Sequence, residues 1–256
     1  MLLLKRYLLN LGDIHMLRKS IFWSFFLFVF SCGNTVHRTK IVFLSKTKIA
    51  VPEPSGLAYC NGFLYTVSDR VSELYRLNLN GIVEEEYSVP VKDLEGVTYS
   101  VSKNCFYLIS ESKRTLNSWS LEKGFLKKHK VKGEQHGGKN KGLEGLCYNS
   151  KNNSLYAVNE AKPKQLLKLS SKGKIQEKYK LDFAKDISGI VYDAVLNVFW
   201  MLSDASQALY KVSLTGEMIQ KFPLGIEKPE GIALDENRKL YIVSDLTSEL
   251  VVFQIQ

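Results

Sequence analysis

The chain has 256 residues, of which 45% are hydrophobic and 24% charged, and its formal net charge is +9 at pH 7. This composition is typical of a globular protein and excludes a disordered or collagen-like chain. The lysines are scattered and accompany neither a basic helix nor an aromatic-interleaved stripe. We therefore interpret them as a solvated face rather than a nucleic-acid or anionic-lipid patch, and we expect no nucleic-acid partner.

Residues 1–32 are predicted to be a signal peptide. From Met16 the sequence reads MLRKSIFWSFFLFVFSCGN, a basic start followed by an apolar block over 21–30. As a helix this block would span only ~15 Å, about half of the hydrocarbon layer of a bilayer. The ending VFSC resembles a bacterial lipobox, so we expect lipidation of Cys32 and anchoring to a membrane of the bacterial envelope, at the outer membrane or the periplasmic face. A cleaved secreted protein and an uncleaved anchor are the alternatives.

After the leader, residues 33–39 are predicted to be a tether and residues 40–256 a single β-domain. The cysteines of that domain are odd in number (Cys60, Cys105 and Cys147), and they form neither a CxxC motif nor a Cys/His metal spacing. Although export implies an oxidising compartment, this pattern does not support a disulfide framework. Cys147 takes a slot held by Ala, Thr or Val in related segments, which predicts a small buried residue.

One short segment recurs five times along the domain. Its copies are PSGLAY at 54–59, DLEGVTY at 93–99, GLEGLCY at 142–148, DISGIVY at 186–192 and PEGIAL at 229–234. The aligned Ser or Glu positions are 40, 49, 44 and 42 residues apart. This period is typical of a four-stranded blade of a β-propeller.

Each repeat predicts the same order of strands. The glycine-led apolar strand is followed by a turn, by a second strand ending in an acid, by a third apolar strand and by a more polar fourth. The fifth repeat lacks a fourth strand, whereas KIVFLSKTKIA at 40–50 has the outer-strand pattern without a repeat of its own. We therefore predict an all-β, five-bladed propeller whose ring is closed by the N-terminal strand.

The repeats also predict a ring of acids at one mouth of the central channel. Because the first two strands of a blade are antiparallel, the start of the first lies beside the end of the second. The inner positions then hold Glu95, Glu144 and Glu230, with Ser55 and Ser188 between them. Five acids that end second strands lie just outside: Asp69, Glu111, Glu160, Asp204 and Asp245. The glycines allow the backbones to approach near the axis.

Crowded carboxylates repel one another, so either their pKa values rise or a cation binds. Oxygen ligands without His or Cys favour Ca²⁺, which we predict as the cofactor, with the three inner glutamates and the five outer acids as candidate ligands. The alternative is that the acids only cap strands and bond backbone amides or nearby lysines.

The repeated EG-apolar-Tyr strand, the second strand ending in S/N-D/E and the lipoprotein-like leader together resemble the SdiA-regulated family of bacterial envelope proteins. The segment NEAKP at 159–163 fits this resemblance, which covers residues 40–256 and extends distantly to NHL-repeat and esterase-like propellers. It implies a five-bladed β-propeller with a calcium-type site in the channel, but it does not supply an activity. The ligand set carries over at Glu95, Glu144 and Glu230, whereas Ser55 and Ser188 depart from it.

Two functions remain open on the sequence. The first is a monomeric, membrane-anchored module that binds a small-molecule or protein ligand. The second is a metal-dependent hydrolase of the lactonase, arylesterase or phytase-like type, in which the cation polarises a carbonyl or phosphoryl oxygen. A hydrolase needs a general base, for which His136 in the loop KGEQHGGKNKGLEG or an acid of the ring is the candidate. The chain contains no nucleophilic-triad, phosphate-loop or Rossmann motif.

Overall fold

The computed structural model describes residues 38–132, 142–160 and 163–256, and residues 39–256 form one compact unit. The predicted signal peptide with Cys32, most of the tether, and His136 lie outside the described residues. The described part of the chain contains no helix long and apolar enough to cross a bilayer.

In the residues that the structure describes, twenty strands form five four-stranded antiparallel sheets. β1 (Ile41–Lys48) comes first in the chain. Blade 1 contains β2 (Pro54–Cys60), β3 (Phe63–Ser68), β4 (Glu73–Leu77) and β5 (Val83–Ser88); blade 2 contains β6 (Leu94–Ser100), β7 (Cys105–Ser110), β8 (Thr115–Ser120) and β9 (Gly124–Lys130). A 3-10 turn, Val101–Lys103, follows β6.

Blade 3 contains β10 (Leu143–Asn149), β11 (Ser154–Asn159), β12 (Gln165–Leu169) and β13 (Ile175–Lys180). Blade 4 contains β14 (Gly189–Asp193), β15 (Val198–Ser203), β16 (Ala208–Val212) and β17 (Met218–Pro223). Blade 5 contains β18 (Pro229–Leu234), β19 (Lys239–Ser244) and β20 (Glu249–Ile255), with β1 as its outer strand. The innermost strands β2, β6, β10, β14 and β18 contact one another in that order and close the ring from β18 to β2.

Ring closure by the N-terminal strand is confirmed. β1 pairs antiparallel with β20 from Ile41 opposite Ile255 to Lys48 opposite Glu249, with a bulge between Phe43 and Ser45. Because the first and last strands share one sheet, the ring cannot open without breaking this pairing.

The core lies between neighbouring blades, in five apolar clusters, one for each blade pair. Aromatic rings join the blades: the centroids of Tyr65 and Phe106 are 4.5 Å apart, and those of Tyr156 and Phe199 are 4.8 Å apart. Inner strands are apolar on both faces because both faces are covered, whereas outer strands such as β5 and β13 alternate with exposed charges. Cys147 is buried in one of these clusters, as its position in the repeat predicts.

The tyrosine of the repeat has a structural role. Its hydroxyl donates to the side-chain oxygen of an asparagine in the next turn, at 2.5 Å for Tyr99 to Asn104 and 2.7 Å for Tyr192 to Asn197. Both asparagines have positive φ, which asparagine tolerates better than most residues. The tyrosine therefore fixes the hairpin between the first two strands.

Candidate metal centre at the channel mouth

A cavity of about 270 Å³ lies at the mouth of the channel where the first strands begin. Ten carboxyl groups and one lysine line it, together with two serines. The acids are Asp69, Asp93, Glu95, Glu111, Glu144, Glu160, Asp186, Asp204, Glu230 and Asp245. All eight predicted acids are therefore brought together at one site, whereas their role as metal ligands stays a prediction.

The floor of the cavity is made by the repeat glycines. A Cβ added at Gly56 would lie 2.8 Å from the Cα of Gly96, and one at Gly231 would lie 2.7 Å from the carbonyl carbon of Gly56. Only about 10 Å³ of space remains in this layer, scarcely room for one water. The acidic cavity is thus a blind mouth, separated from a second mouth of about 120 Å³ that is lined by the repeat tyrosines.

The three inner glutamates differ in pKa from ordinary carboxyl groups. Burial, followed by repulsion from Glu144, raises the pKa of Glu95 to about 10. Burial and then the charge of Glu230 raise the pKa of Glu144 well above its usual range, and burial and then the charge of Glu95 do the same for Glu230. Each inner glutamate therefore destabilises the ionised form of another, and a bound cation would relieve this repulsion.

Two groups of acids are close enough to share an ion. Asp69, Asp93 and Glu95 form one group across blades 1 and 2; the other joins blades 2 and 3 and contains Glu111, Glu144 and Glu160. In each group the nearest oxygens lie within 4.8 Å of one another. Two oxygens bound to the same Ca²⁺ at 2.3–2.6 Å are at most about 5.2 Å apart. The donor atoms are all hard oxygens, so both the spacing and the chemistry fit Ca²⁺.

The two inner serines line the cavity but bond sideways to the next blade. The Ser55 hydroxyl donates to the carbonyl of Leu94 at 2.5 Å, and the Ser188 hydroxyl donates to that of Pro229 at 2.6 Å. Both serines are almost fully buried. Where the repeat carries serine, the inner position therefore ties two blades together instead of adding a charge.

Several outer acids have protein partners as well. Glu111 accepts a hydrogen bond from the Gly142 amide at 2.7 Å, and Asp204 accepts one from the Gln207 side chain at 3.0 Å. Lys228 is ion-paired with Asp245. These three acids therefore form bonds to protein groups, which is the alternative to metal binding that the sequence analysis left open. A carboxylate that accepts one hydrogen bond can still coordinate an ion.

Asp93, Asp186 and Lys228 also line the cavity and were missed by the sequence reasoning. All three stand two residues before the inner Ser or Glu. Asp93 accepts a hydrogen bond from the Ser112 amide, and Asp186 accepts one from the Ala205 amide at 3.1 Å. Aligning the repeats two residues further toward the N-terminus would have found Asp93 and Asp186, because acids recur there in DLEG and DISG.

Five radial sheets around a glycine-lined axis, with carboxyl groups at one mouth, define a five-bladed β-propeller with an acidic channel mouth. The chain belongs to the SdiA-regulated family, whose sequence model matches residues 37–253.

Solved structures show the same fold in distant proteins. Glutaminyl cyclase from Myxococcus xanthus is 13% identical with a TM-score of 0.68, covering 84% of this chain and 96% of its own. A streptogramin B lyase is 12% identical with a TM-score of 0.55, covering 85% and 98%. The PQQ-bound aldose sugar dehydrogenase from Streptomyces coelicolor is 16% identical with a TM-score of 0.55, covering 86% and 99%. At these identities the likeness is one of fold.

Proposed function

We propose that this chain is a lipid-anchored envelope module that binds Ca²⁺ at the acidic mouth of its propeller and uses the occupied mouth to bind a ligand or a protein partner. The observation that carries the proposal is the convergence of Glu95, Glu144 and Glu230 with seven further acids around one cavity. Lys228 is the single cation among the described lining residues, and it is already paired with Asp245.

A bound cation would compensate the charge of the inner glutamates. Without a cation, the inner glutamates remain protonated because burial and mutual repulsion raise their pKa values. With Ca²⁺, the same groups ionise and supply oxygen ligands, so ion binding stabilises the folded ring. An ion held by either of the two acid groups would also join two neighbouring blades, blades 1 and 2 or blades 2 and 3.

Thermal unfolding of the purified full-length chain tests the proposal. After EDTA treatment, added Ca²⁺ at about 100 times its dissociation constant is expected to raise the midpoint by about 5–10 °C. Glu144→Gln should reduce this rise, because it removes one ligand charge without changing the shape of the side chain. Glu86→Gln is the matched control, since Glu86 is an exposed glutamate on the outer strand β5. A midpoint that responds neither to chelator nor to Ca²⁺ overturns the calcium site.

A calcium-dependent hydrolase is the second candidate. The observation that favours it is the number of acids around one open cavity, since an ion bound by some of them would leave another carboxyl group as a candidate general base. The three solved structures named above are enzymes by name, although a shared fold does not carry a shared reaction.

Assays of wild type and Glu144→Gln against lactones, aryl esters and phytate separate the two candidates. Turnover that is lost in Glu144→Gln and kept in Glu86→Gln would establish the hydrolase. Absence of turnover across the panel, with calcium stabilisation intact, supports the binding module.

A further inference from the structure

A cavity of about 530 Å³ lies between blades 2 and 3, on the face of the ring opposite the acidic mouth. The turns that follow β6, β10 and β12 line it. We call it the serine groove, because five serines line it: Ser100, Ser102, Ser154, Ser170 and Ser171. The acidic cavity measures about 270 Å³. The serine groove is therefore the larger of the two, and its size is that of a pocket for an organic molecule rather than for a single ion.

The serine groove is open because one repeat position differs in blade 3. In the other blades the chain after the third strand ends in Leu or Ile: LNL at 77–79, WSL at 119–121, VSL at 212–214 and FQI at 253–255. Leu79, Leu214 and Ile255 pack against the apolar cluster between their own blade and the preceding one. Blade 3 has LSS at 169–171 instead, and Ser171 is exposed and lines the groove.

Blade 2 shows that the junction can also be filled in another way. Leu121 is exposed, but Trp119, two residues earlier, is buried in the cluster between blades 1 and 2. At the same position as Trp119, blade 3 carries the smaller Leu169. A serine and a leucine thus replace the large side chains that close the other junctions, and the gap between blades 2 and 3 stays unfilled.

The lining of the serine groove is rich in hydroxyl and amide groups. Besides the serines it contains two asparagines and a glutamine, above two buried leucines, Leu155 and Leu169. Tyr148 also lines it, and its hydroxyl donates to the Asn153 side chain at 2.5 Å, which holds the tyrosine in place. Hydroxyl and amide groups donate and accept hydrogen bonds, as the hydroxyl groups of a sugar do. The tyrosine and leucine side chains offer apolar surface to the C–H groups of such a ring.

The turns around the serine groove are basic. Three turns contain four lysines and no acid: SVSKN at 100–104, NSKNNS at 149–154 and SSKGK at 170–174. All four lysines are exposed, and Lys103 lines the groove itself. Turns of other blades on the same face carry acids, for example Glu122 after β8 and Glu217 after β16. The local charge therefore favours an anionic ligand at this junction.

We propose that the serine groove binds a short acidic saccharide, whose hydroxyl groups bond to the serine and amide side chains and whose carboxylate is held by Lys103. Among the described lining residues, hydroxyl and amide groups outnumber the cation, which favours a polyhydroxylated ligand over a phosphate ester. This inference depends neither on the calcium site, which lies at the other mouth, nor on the lipid anchor of the proposed function.

Isothermal titration calorimetry of the purified full-length chain tests the proposal. The probes are trigalacturonate and a hyaluronan tetrasaccharide as acidic sugars, maltotriose as a neutral sugar and adenosine monophosphate as a phosphate ester. All titrations contain EDTA, so that Ca²⁺ at the acidic mouth takes no part. We expect an acidic sugar to bind about tenfold or more tightly than maltotriose and adenosine monophosphate, and its binding to weaken as NaCl is added.

Ser171→Leu tests the position of the site. It gives blade 3 the residue that blades 1, 2 and 4 carry at this position, so the fold is expected to accept it. By filling the groove it should weaken the binding of the acidic sugar about tenfold or more. Ser112→Leu is the matched control, since Ser112 is an exposed serine on the opposite face, and it should bind as the wild type does.

Lys103→Gln tests the charge and does not depend on how Ser171→Leu folds. It should weaken the binding of the acidic sugar several-fold and remove part of the salt dependence. Lys123→Gln is its control, because Lys123 is an exposed lysine of the turn after β8 and does not line the groove.

Binding of neither acidic sugar at millimolar concentration overturns the proposal. Equal or tighter binding of maltotriose or adenosine monophosphate overturns it as well, and so does binding that Ser171→Leu and Lys103→Gln both leave unchanged. Calcium stabilisation, measured on the same variants, reports separately on the acidic mouth, so a failure of the serine groove is distinguishable from a failure of the calcium site.

Discussion

Glu95, Glu144 and Glu230 occupy a position where the ionised form of a carboxyl group is poorly stabilised. Each follows the turn into an innermost strand, beside a glycine that brings the next blade into contact. Their side chains are only partly exposed within the cavity, and their titratable neighbours are acids, apart from Lys228 near Glu230. Such groups remain protonated or bind a cation.

The pH dependence of stability follows from these shifts. In EDTA, an acid whose pKa is higher in the folded state than in the unfolded state holds more protons when folded, so the free energy of unfolding falls as the pH rises. We expect the thermal midpoint to fall between about pH 5 and pH 9. Added Ca²⁺ should oppose the fall, because it binds the ionised carboxylates. Glu95→Gln should flatten the slope in EDTA; an unchanged slope would show that Glu95 does not hold the proton.

The serine at the inner position can be tested in the same way. Ser55→Ala leaves the buried carbonyl of Leu94 without its donor and is expected to cost about 1–3 kcal/mol in urea unfolding. Ser112→Ala, an exposed serine near the same mouth, should cost less than about 0.5 kcal/mol. Equal losses would mean that the Ser55 hydroxyl does not tie blade 1 to blade 2.

At the scale of the strand, the repeat glycines decide how closely the blades approach. A Cβ at Gly189 on β14 would lie 2.3 Å from the backbone oxygen of Glu230, whereas nothing lies within 4 Å of one at Gly225. Gly189→Ala is therefore expected to lose about 1–3 kcal/mol of stability or more, because backbone must move to make room.

Gly225→Ala is the control for this substitution and should change the unfolding free energy by less than about 0.5 kcal/mol. Chemical unfolding followed by circular dichroism measures both variants. If Gly189→Ala were as stable as Gly225→Ala, the contact between β14 and β18 would be looser than described, and the floor of the acidic cavity would be open.

On the face of the ring opposite the acidic cavity, an ion pair joins blade 4 to blade 5. The Asp193 carboxylate is fully buried and lies 2.6 Å from the Arg238 guanidinium; it also accepts a hydrogen bond from Trp200 at 3.0 Å. Burial alone would raise the pKa of Asp193, but the hydrogen bonds from Arg238, Leu196 and Trp200 lower it. The stability from this pair is therefore present at neutral pH and is lost in acid as Asp193 becomes protonated.

Arg238→Met is expected to destabilise the protein by about 3–5 kcal/mol, because it leaves a buried carboxylate without its cation. Arg70→Met removes an exposed arginine that lies 4.0 Å from Glu53, and it should have little effect. Urea unfolding monitored by tryptophan fluorescence suits both, since Trp200 contacts Asp193. Equal stability of the two variants would contradict a blade-joining role for Arg238.

At the scale of the whole molecule, most of the architecture follows from the repeated segment. The period and the alternation of apolar residues predict four strands in each blade, and the surplus strand before the first repeat predicts the closure by β1. These predictions succeed because both faces of the inner strands must be covered in every blade, so each repeat shows the same apolar pattern.

The repeated segment predicts only some of the residues that line the site. The convergence of Glu95, Glu144 and Glu230 could be predicted, since antiparallel pairing fixes where strand ends meet. Asp93 and Asp186 could have been found by extending the repeat, because acids recur in DLEG and DISG. The contribution of Lys228 could not, because no other repeat carries a cation at that position and the periodicity does not say which way a turn residue points. The hydrogen bonds from Ser55 and Ser188 to the next blade could not be predicted either, because they depend on the distance between blades.

A crystal structure of the protein grown with Ca²⁺ would decide whether the carboxyl groups at the channel mouth hold a divalent cation. We expect an ion in the cavity, with carboxylate oxygens of the inner glutamates at 2.3–2.6 Å from it. A calcium-grown crystal in which the mouth holds only water, with Glu95, Glu144 and Glu230 directed away from one another, would show that these groups do not bind the ion.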